Sequence, residues 1–280
     1  MFAARIFFTK VQSPLCRACT TMHSKLIQVA HNPDSGIAIV SLGRPPVNSL
    51  NMELLNALTA TLVDIQKKKE CKGVVLTSSL PNVFSAGLDI MEMYNRTEKQ
   101  LTEFWNALQD MWLTLYNLKM PVAAAINGSS PAGGCFMALS CEYRVLVDGE
   151  HTIGLNETRL GISAPDWFNT LYVDVLGYRN AELALLRGTL FQPKEALRVG
   201  LVDELASDKA SAIKQCESYI ETFRIIPPIG RERTKWNLRK RNTLWMKVNR
   251  TADVEEFLSF VQMPKVQAGL KLYIESLKKK

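Results

Sequence analysis

No Asp or Glu precedes Asp34, although Arg5, Lys10, Arg17 and Lys25 all do. An opening that is basic, rich in Ser and Thr, and free of acids has the composition of a mitochondrial transit peptide. It lacks the long apolar centre and small-residue cleavage site of a secretory signal. The expected leader is residues 1–25, with cleavage near Met22 and delivery to the mitochondrial matrix. No apolar run approaches the roughly 18 residues that a membrane helix needs, so no membrane span is expected. The three histidines, His23, His31 and His151, and six scattered cysteines show no metal-ligand spacing. Cys16 and Cys19 form a C-x-x-C, but inside the expected leader, where a redox role is not expected. The formal net charge of +7 falls by three once Arg5, Lys10 and Arg17 are removed. That modest balance argues against a nucleic-acid partner.

Several catalytic signatures are missing as well. The chain contains no G-x-G-x-x-G, no G-x-x-x-x-G-K-[ST], no H-E-x-x-H and no G-x-S-x-G. Nicotinamide enzymes, P-loop enzymes, zinc proteases and α/β-hydrolases therefore lack their usual support.

What is present is an α/β pattern in 280 residues, 47% of them hydrophobic, enough for a sizeable core. Gly36 to Leu42 is β-branched and alternating, which predicts a strand. "RPPVNSLN" then forbids a continuing central strand. Ser49 or Asn51 could cap the next helix, whose Leu54, Leu58, Leu62 and Ile65 share one face. Gly73 to Ser79 reads as a buried strand, Glu98 to Leu118 as a long amphipathic helix, and "VAAAING" as a strand of small residues. Strand and helix alternate to about residue 205, and helices separated by prolines follow. The expected division is a core over 26–205 and a helical region over 206–280. A stripe including Val254, Phe257, Leu258 and Val261 could pack on that core or on another subunit.

Three loops after predicted strands carry the candidate chemistry: "FSAGLD" (84–89), "NGSSPAGG" (127–134) and "IGLNETRLGI" (153–162). Small residues in the first two let the backbone approach a ligand closely. The second opens a helix whose first N–H groups lack helical partners. Two such loops could aim two N–H donors at one oxygen, the design of an oxyanion hole. The third loop holds one acid, Glu157, whose nearest charged neighbour is Arg159. From the residues alone, Glu157 could be a base or a structural acid paired with Arg159. Asn156 could orient it or simply form a turn, Asp89 could be an N-cap or a ligand contact, and Trp167 and Phe168 could line a tunnel or fill the core.

The segments "VVLTSSLPNVFSAGLDI", "AAINGSSPAGGCFMALSCEYRV" and "IGLNETRLGI", in this order and separation, resemble the enoyl-CoA hydratase/isomerase (crotonase) superfamily over roughly residues 26–278. "RPPVNSL" and "GLNET" resemble its isomerase branch. The resemblance implies a spiral of ββα units followed by helices that build a homotrimer, an acyl-CoA substrate, and no cofactor beyond the CoA carried by that substrate. Residue by residue, it implies an oxyanion hole from the N–H groups of Ala86 and Gly133. It implies substrate contacts at Ala86, Gly87, Leu88, Asp89, Ile90, Gly133 and Asn156, and a catalytic Glu157. Hydratases of the family carry a glutamate at the position of Phe136 and a second at that of Glu157. With Phe136 in place of one acid, a single base remains, which suits a proton shuttle from C2 to C4 of a 3-enoyl thioester better than addition of water. A dienoyl-CoA isomerase lacks its extra acid here, and a silent CoA- or RNA-binding member does not need the Ala86, Gly133 and Glu157 set. An apolar surrounding is expected to raise the pKa of Glu157.

Overall fold

A computed structural model describes residues 19–277. Residues 1–18 of the expected leader lie outside them. The remainder of that segment contributes β1 (Cys19–Ser24), which pairs antiparallel with β2 (Ile27–His31), and β2 pairs antiparallel with β3 (Ile37–Leu42). The chain continues through α1 (Met52–Lys67), β4 (Gly73–Ser78), β5 (Asn82–Val83), α2 (Glu98–Tyr116), β6 (Val122–Ile126), β7 (Gly128–Pro131), α3 (Gly133–Leu139), β8 (Tyr143–Val147) and β9 (Ile153–Gly154). Then come α4 (Asp166–Leu176), α5 (Tyr178–Arg187), α6 (Pro193–Arg198), β10 (Glu204–Ala206), α7 (Lys209–Glu221), α8 (Pro228–Val261) and α9 (Pro264–Leu277). Among the described residues, no helix is long and apolar enough to cross a membrane.

The strands form two sheets. The larger runs β1-β2-β3-β4-β6-β8-β10, parallel from β3 onward, and the smaller runs β5-β7-β9, all parallel. Each turn of the spiral thus sends one strand to the large sheet and a short one to the small sheet. β4 and β6 are buried along their whole length, as expected of parallel strands covered on both faces. On one face lies the main core, with Leu54, Leu58 and Leu62 of α1 against Phe104, Leu108 and Trp112 of α2. Full burial of a side chain such as Phe104 stabilises by about 1.5–3 kcal/mol. On the other face Ala212, Cys216 and Ile220 of α7 cover Val75, Ala123 and Val145.

Local signals set the helix boundaries. Asn51, rather than Ser49, caps α1 by accepting from the Leu54 N–H. Thr97 and Gln100 form a reciprocal capping box at the start of α2. Pro228 and Pro264 occupy first-turn positions in α8 and α9, where a missing N–H costs nothing. Val254 and Val261 of α8 are buried, and Phe257 and Leu258 pack partly against the same core. The basic face of α8 turns inward as well. Lys235 pairs with Glu142, and Arg239 donates to the carbonyls of Tyr116 and Ser140 at the C-terminal ends of α2 and α3. Cations are favourable there because the last carbonyls of a helix are unpaired and its dipole is negative at that end.

The small sheet depends on glycine. A Cβ on Gly128 would lie 1.9 Å from the Asn82 carbonyl carbon and 2.2 Å from the Val83 nitrogen, so any side chain must push β7 away from β5. Gly128→Ala is expected to cost about 3 kcal/mol by overpacking, seen as a lower midpoint in denaturant-induced unfolding. An unchanged midpoint would contradict this packing.

Candidate active site

Because β5, β7 and β9 are parallel neighbours, the loops that follow them leave one edge of the small sheet side by side. These are the three loops singled out above. In parallel sheets the ends of the strands gather functional groups in this way. Backbone hydrogen bonds fasten the loops together: Phe84 N–H to Ser129 O at 3.0 Å, and Ala132 N–H to Gly154 O at 2.8 Å. Where the first two meet, space is tight. A Cβ on Gly134 would lie 2.4 Å from the Ser85 oxygen, and one on Gly87, whose φ is +87°, would lie 3.0 Å from the Gly133 nitrogen.

Sequence reasoning missed Asn48, which holds the first loop from below. It is fully buried at φ +50°, a conformation that Asn tolerates better than most residues. Its side-chain Nδ2 donates to Ser78 Oγ at 2.8 Å and Phe84 O at 3.0 Å, and its main-chain carbonyl accepts from Ser85 Oγ at 2.8 Å. The available signal was an Asn after two prolines in "RPPVNSL".

The expected N–H of Ala86 is already used. It donates to the Val47 carbonyl at 2.9 Å, which leaves it no hydrogen for a ligand. This corrects the assignment of Ala86 as an oxyanion donor; its N–H fastens the loop. Two residues on, Leu88 forms a parallel bridge with Leu50. In it, Leu50 N–H donates to Gly87 O and Asp89 N–H to Leu50 O. That pattern uses the peptides on either side of Leu88 and turns its own N–H the opposite way. An ideal Cβ on Gly133 would lie 3.2 Å from the Leu88 nitrogen. Among the described residues neither the Leu88 nor the Gly133 N–H has an acceptor. Gly133 is the first residue of α3, where an unpaired N–H is inherent.

The neighbouring positions divide by role. Asp89 caps the single helical turn Ile90–Glu92 through the Met91 N–H and forms an ion pair with Arg44 at 3.0 Å. Ile90 packs against the core. Phe136, Trp167 and Phe168 are buried and form one aromatic group, Phe136 stacked on Phe168 with centroids 3.6 Å apart and edge-on to Trp167 at 5.0 Å.

Glu157 opens the helical turn Glu157–Leu160 directly after β9. Gly154 precedes it where a Cβ would lie 2.3 Å from Thr189 O. Behind the turn, Thr158 Oγ1 donates to Leu185 O and Arg159 Nε to Arg187 O, which docks it on the end of α5. Arg159 therefore points away from Glu157 and does not pair with it. Glu157 is 7% exposed, and its Oε2 has no partner. Burial pushes its pKa up to about 7, opposed only by its own peptide N–H. Asn156 Oδ1 beside it is also buried and unpartnered, and its side chain does not cap the turn. Unsatisfied buried polar atoms in one place call for a ligand or water to complete them. Cys135 and Tyr172 lie close enough for the Glu157 charge to contribute to raising their pKa values, which burial mainly sets. Among the described residues, no cluster of three or more His, Cys, Asp or Glu could hold a metal ion.

Paired backbone donors near one buried, uncompensated carboxylate suit an enzyme that moves a proton next to a carbonyl. The chain belongs to the enoyl-CoA hydratase/isomerase family, whose family model matches residues 32–280. It is 44% identical over 258 residues to the mouse mitochondrial enoyl-CoA delta isomerase 1, covering 92% of this chain and 89% of that protein. The human counterpart is 41% identical, over 91% of this chain and 84% of that protein. The fold matches the crystal structure of human mitochondrial delta3-delta2-enoyl-CoA isomerase with a TM-score of 0.88 and 41% identity, over 91% of this chain and 98% of that one. A Bacillus halodurans enoyl-CoA hydratase, 21% identical with a TM-score of 0.79 over 88% of this chain and 99% of that one, shares the fold.

Proposed function

We propose that this protein is a mitochondrial enoyl-CoA isomerase, which converts 3-cis- or 3-trans-enoyl-CoA to the trans-2-enoyl thioester in the β-oxidation of unsaturated fatty acids. The observation that carries this reading is the buried Glu157, with neither a cation nor a second acid to work with, on a loop that the Ala132 N–H to Gly154 O bond holds against the one bearing a free Gly133 N–H, with the free Leu88 N–H next to it. The Glu157 carboxylate removes a proton from C2. The electron pair moves into the conjugated system and places negative charge on the thioester oxygen, which accepts from Leu88 and Gly133. Protonated Glu157 then returns the proton to C4, the C2–C3 double bond forms, and the carbonyl is restored. Atoms and charge balance with no cofactor beyond the CoA that arrives with the substrate. A pKa near 7 suits both halves of the shuttle, since the group must take the proton and then give it back.

Phe136 supports isomerisation over hydration. It occupies the first turn of α3, fully buried against other rings, where a hydratase of the family carries an acid to position water. The test is to offer purified protein a 3-enoyl-CoA and a 2-enoyl-CoA and follow conjugation and hydration separately. Faster hydration than conjugation would overturn the reading. The mitochondrial names of the relatives support that compartment, and the basic, acid-free composition before Asp34 supports the matrix. The proposed assembly is a homotrimer. Leu238 and Val248, 78% and 82% exposed on α8, are apolar surface for it to cover. A light-scattering mass equal to one chain would refute it.

A further inference from the structure

Among the described residues, one buried acid remains that the proton shuttle does not use. Asp253 lies on α8 and is 5% exposed. Its Oδ2 accepts from Trp105 Nε1 and from Gln109 Nε2, both at 2.7 Å, and both donors belong to α2. Four residues on, Phe257 stacks on the same Trp105 ring, with centroids 3.8 Å apart and planes 7° from parallel. Trp105 also meets Trp167 edge-on at 6.1 Å, and Trp167 meets Phe136 edge-on at 5.0 Å. Phe136 follows Gly133 by three residues, so the two lie one turn apart on the same face of α3. A continuous run of rings therefore links Asp253 to the oxyanion loop.

Packing alone does not call for an acid here. An apolar side chain would fill the space without the desolvation that a carboxylate suffers, and burial does raise the pKa of Asp253. What the carboxylate adds is direction. A charge-assisted N–H bond fixes the rotation of an indole that stacking leaves free to slide. The Trp167 indole N–H lies near enough to oppose the pKa rise of Asp253, although outside hydrogen-bond geometry. The acid thus orients one tryptophan directly and lies beside a second, which touches the ring nearest the reaction site.

We propose that Asp253 is a positioning residue: through Trp105 and Trp167 it sets the aromatic group behind the oxyanion loop as one wall of the space for the acyl chain, and with it the length of chain accepted. The proposal rests on the isomerase reading and deepens it. It gives α8, a C-terminal helix, a part in substrate selection.

The experiment compares 3-hexenoyl-CoA with 3-dodecenoyl-CoA in wild type, Asp253→Leu, Asp253→Asn and Trp105→Phe. In Asp253→Leu, kcat/KM for the long thioester is expected to fall about tenfold relative to the short one, through KM with kcat unchanged. Asp253→Asn keeps an oxygen that can accept both donors and should restore the wild-type ratio. Trp105→Phe keeps a ring for stacking but lacks the N–H, and should reproduce the shift even if Asp253→Leu fails to fold. Equal losses for both thioesters, a loss confined to kcat, or a wild-type ratio in Trp105→Phe would overturn the proposal. Wild-type protein that conjugates neither thioester would instead overturn the isomerase reading itself.

Discussion

Glu157→Gln is expected to lower kcat for isomerisation by about 10³–10⁴-fold and, at the same time, to make the protein more stable above neutral pH. Both effects come from the same burial. The carboxyl has no cation to offset its desolvation, so its pKa is pushed up to about 7. A group whose folded pKa lies above its unfolded value favours the fold when protonated. The contribution of Glu157 is therefore fully present below about 4.5, the value for an exposed glutamate, and is lost as pH rises through about 7. The loss grows between those limits and is complete above about 7, where the ionised form costs stability on the order of 3 kcal/mol, from 1.36 kcal/mol per pKa unit. Gln carries no charge, so the variant should melt several degrees higher than wild type at pH 8 and close to it at pH 4. In the wild type, kcat/KM should rise with pH through about 7 and then level off, because the free enzyme must offer the ionised base. Near-normal turnover in Glu157→Gln, or a flat pH profile between 6 and 8, would remove Glu157 from the proposed chemistry.

How far the site was legible in sequence depends on whether its determinants were local. Glu157 and Gly133 stand in segments that small residues and strand-to-loop changes make visible, and Phe136 follows Gly133 in the first turn of α3. The helices were legible because apolar periodicity and caps are local, as Asn51 and Thr97 show. The two-residue strands β5 and β9 and the four-residue β7 were not, because they are too short for alternation to register. Yet those strands bring the three loops to one edge. The choice between Ala86 and Leu88 was equally hidden. Both N–H groups belong to "FSAGLD", and only the Val47 carbonyl, 39 positions before Ala86 in the chain, shows which is spent. Asp253 and Trp105, 148 residues apart, carry no shared pattern at all.

The oxyanion pair makes the second large prediction. Gly133→Pro should lower kcat by about 10²–10³-fold, the effect of losing one preorganised donor. Gly133 is the first residue of α3, where proline fits the helical φ and forfeits an N–H that no helical carbonyl would accept. The substitution therefore removes a donor at a position where proline suits the helix, and its ring also replaces the hydrogen that faced the Leu88 nitrogen. The donor matters most when the thioester oxygen carries the dienolate charge, so KM should change much less than kcat. A vibrational measurement separates this from a general disturbance of the loop. The carbonyl stretch of a bound acyl-CoA should lie below its solution frequency in the wild type, because two N–H groups polarise the bond. Gly133→Pro should recover part of that difference, and Glu157→Gln should leave it in place, since the base does not touch the carbonyl. If instead the stretch is unmoved in Gly133→Pro while kcat falls, the N–H of Gly133 is not a donor to that oxygen, and Leu88 must act with some other group.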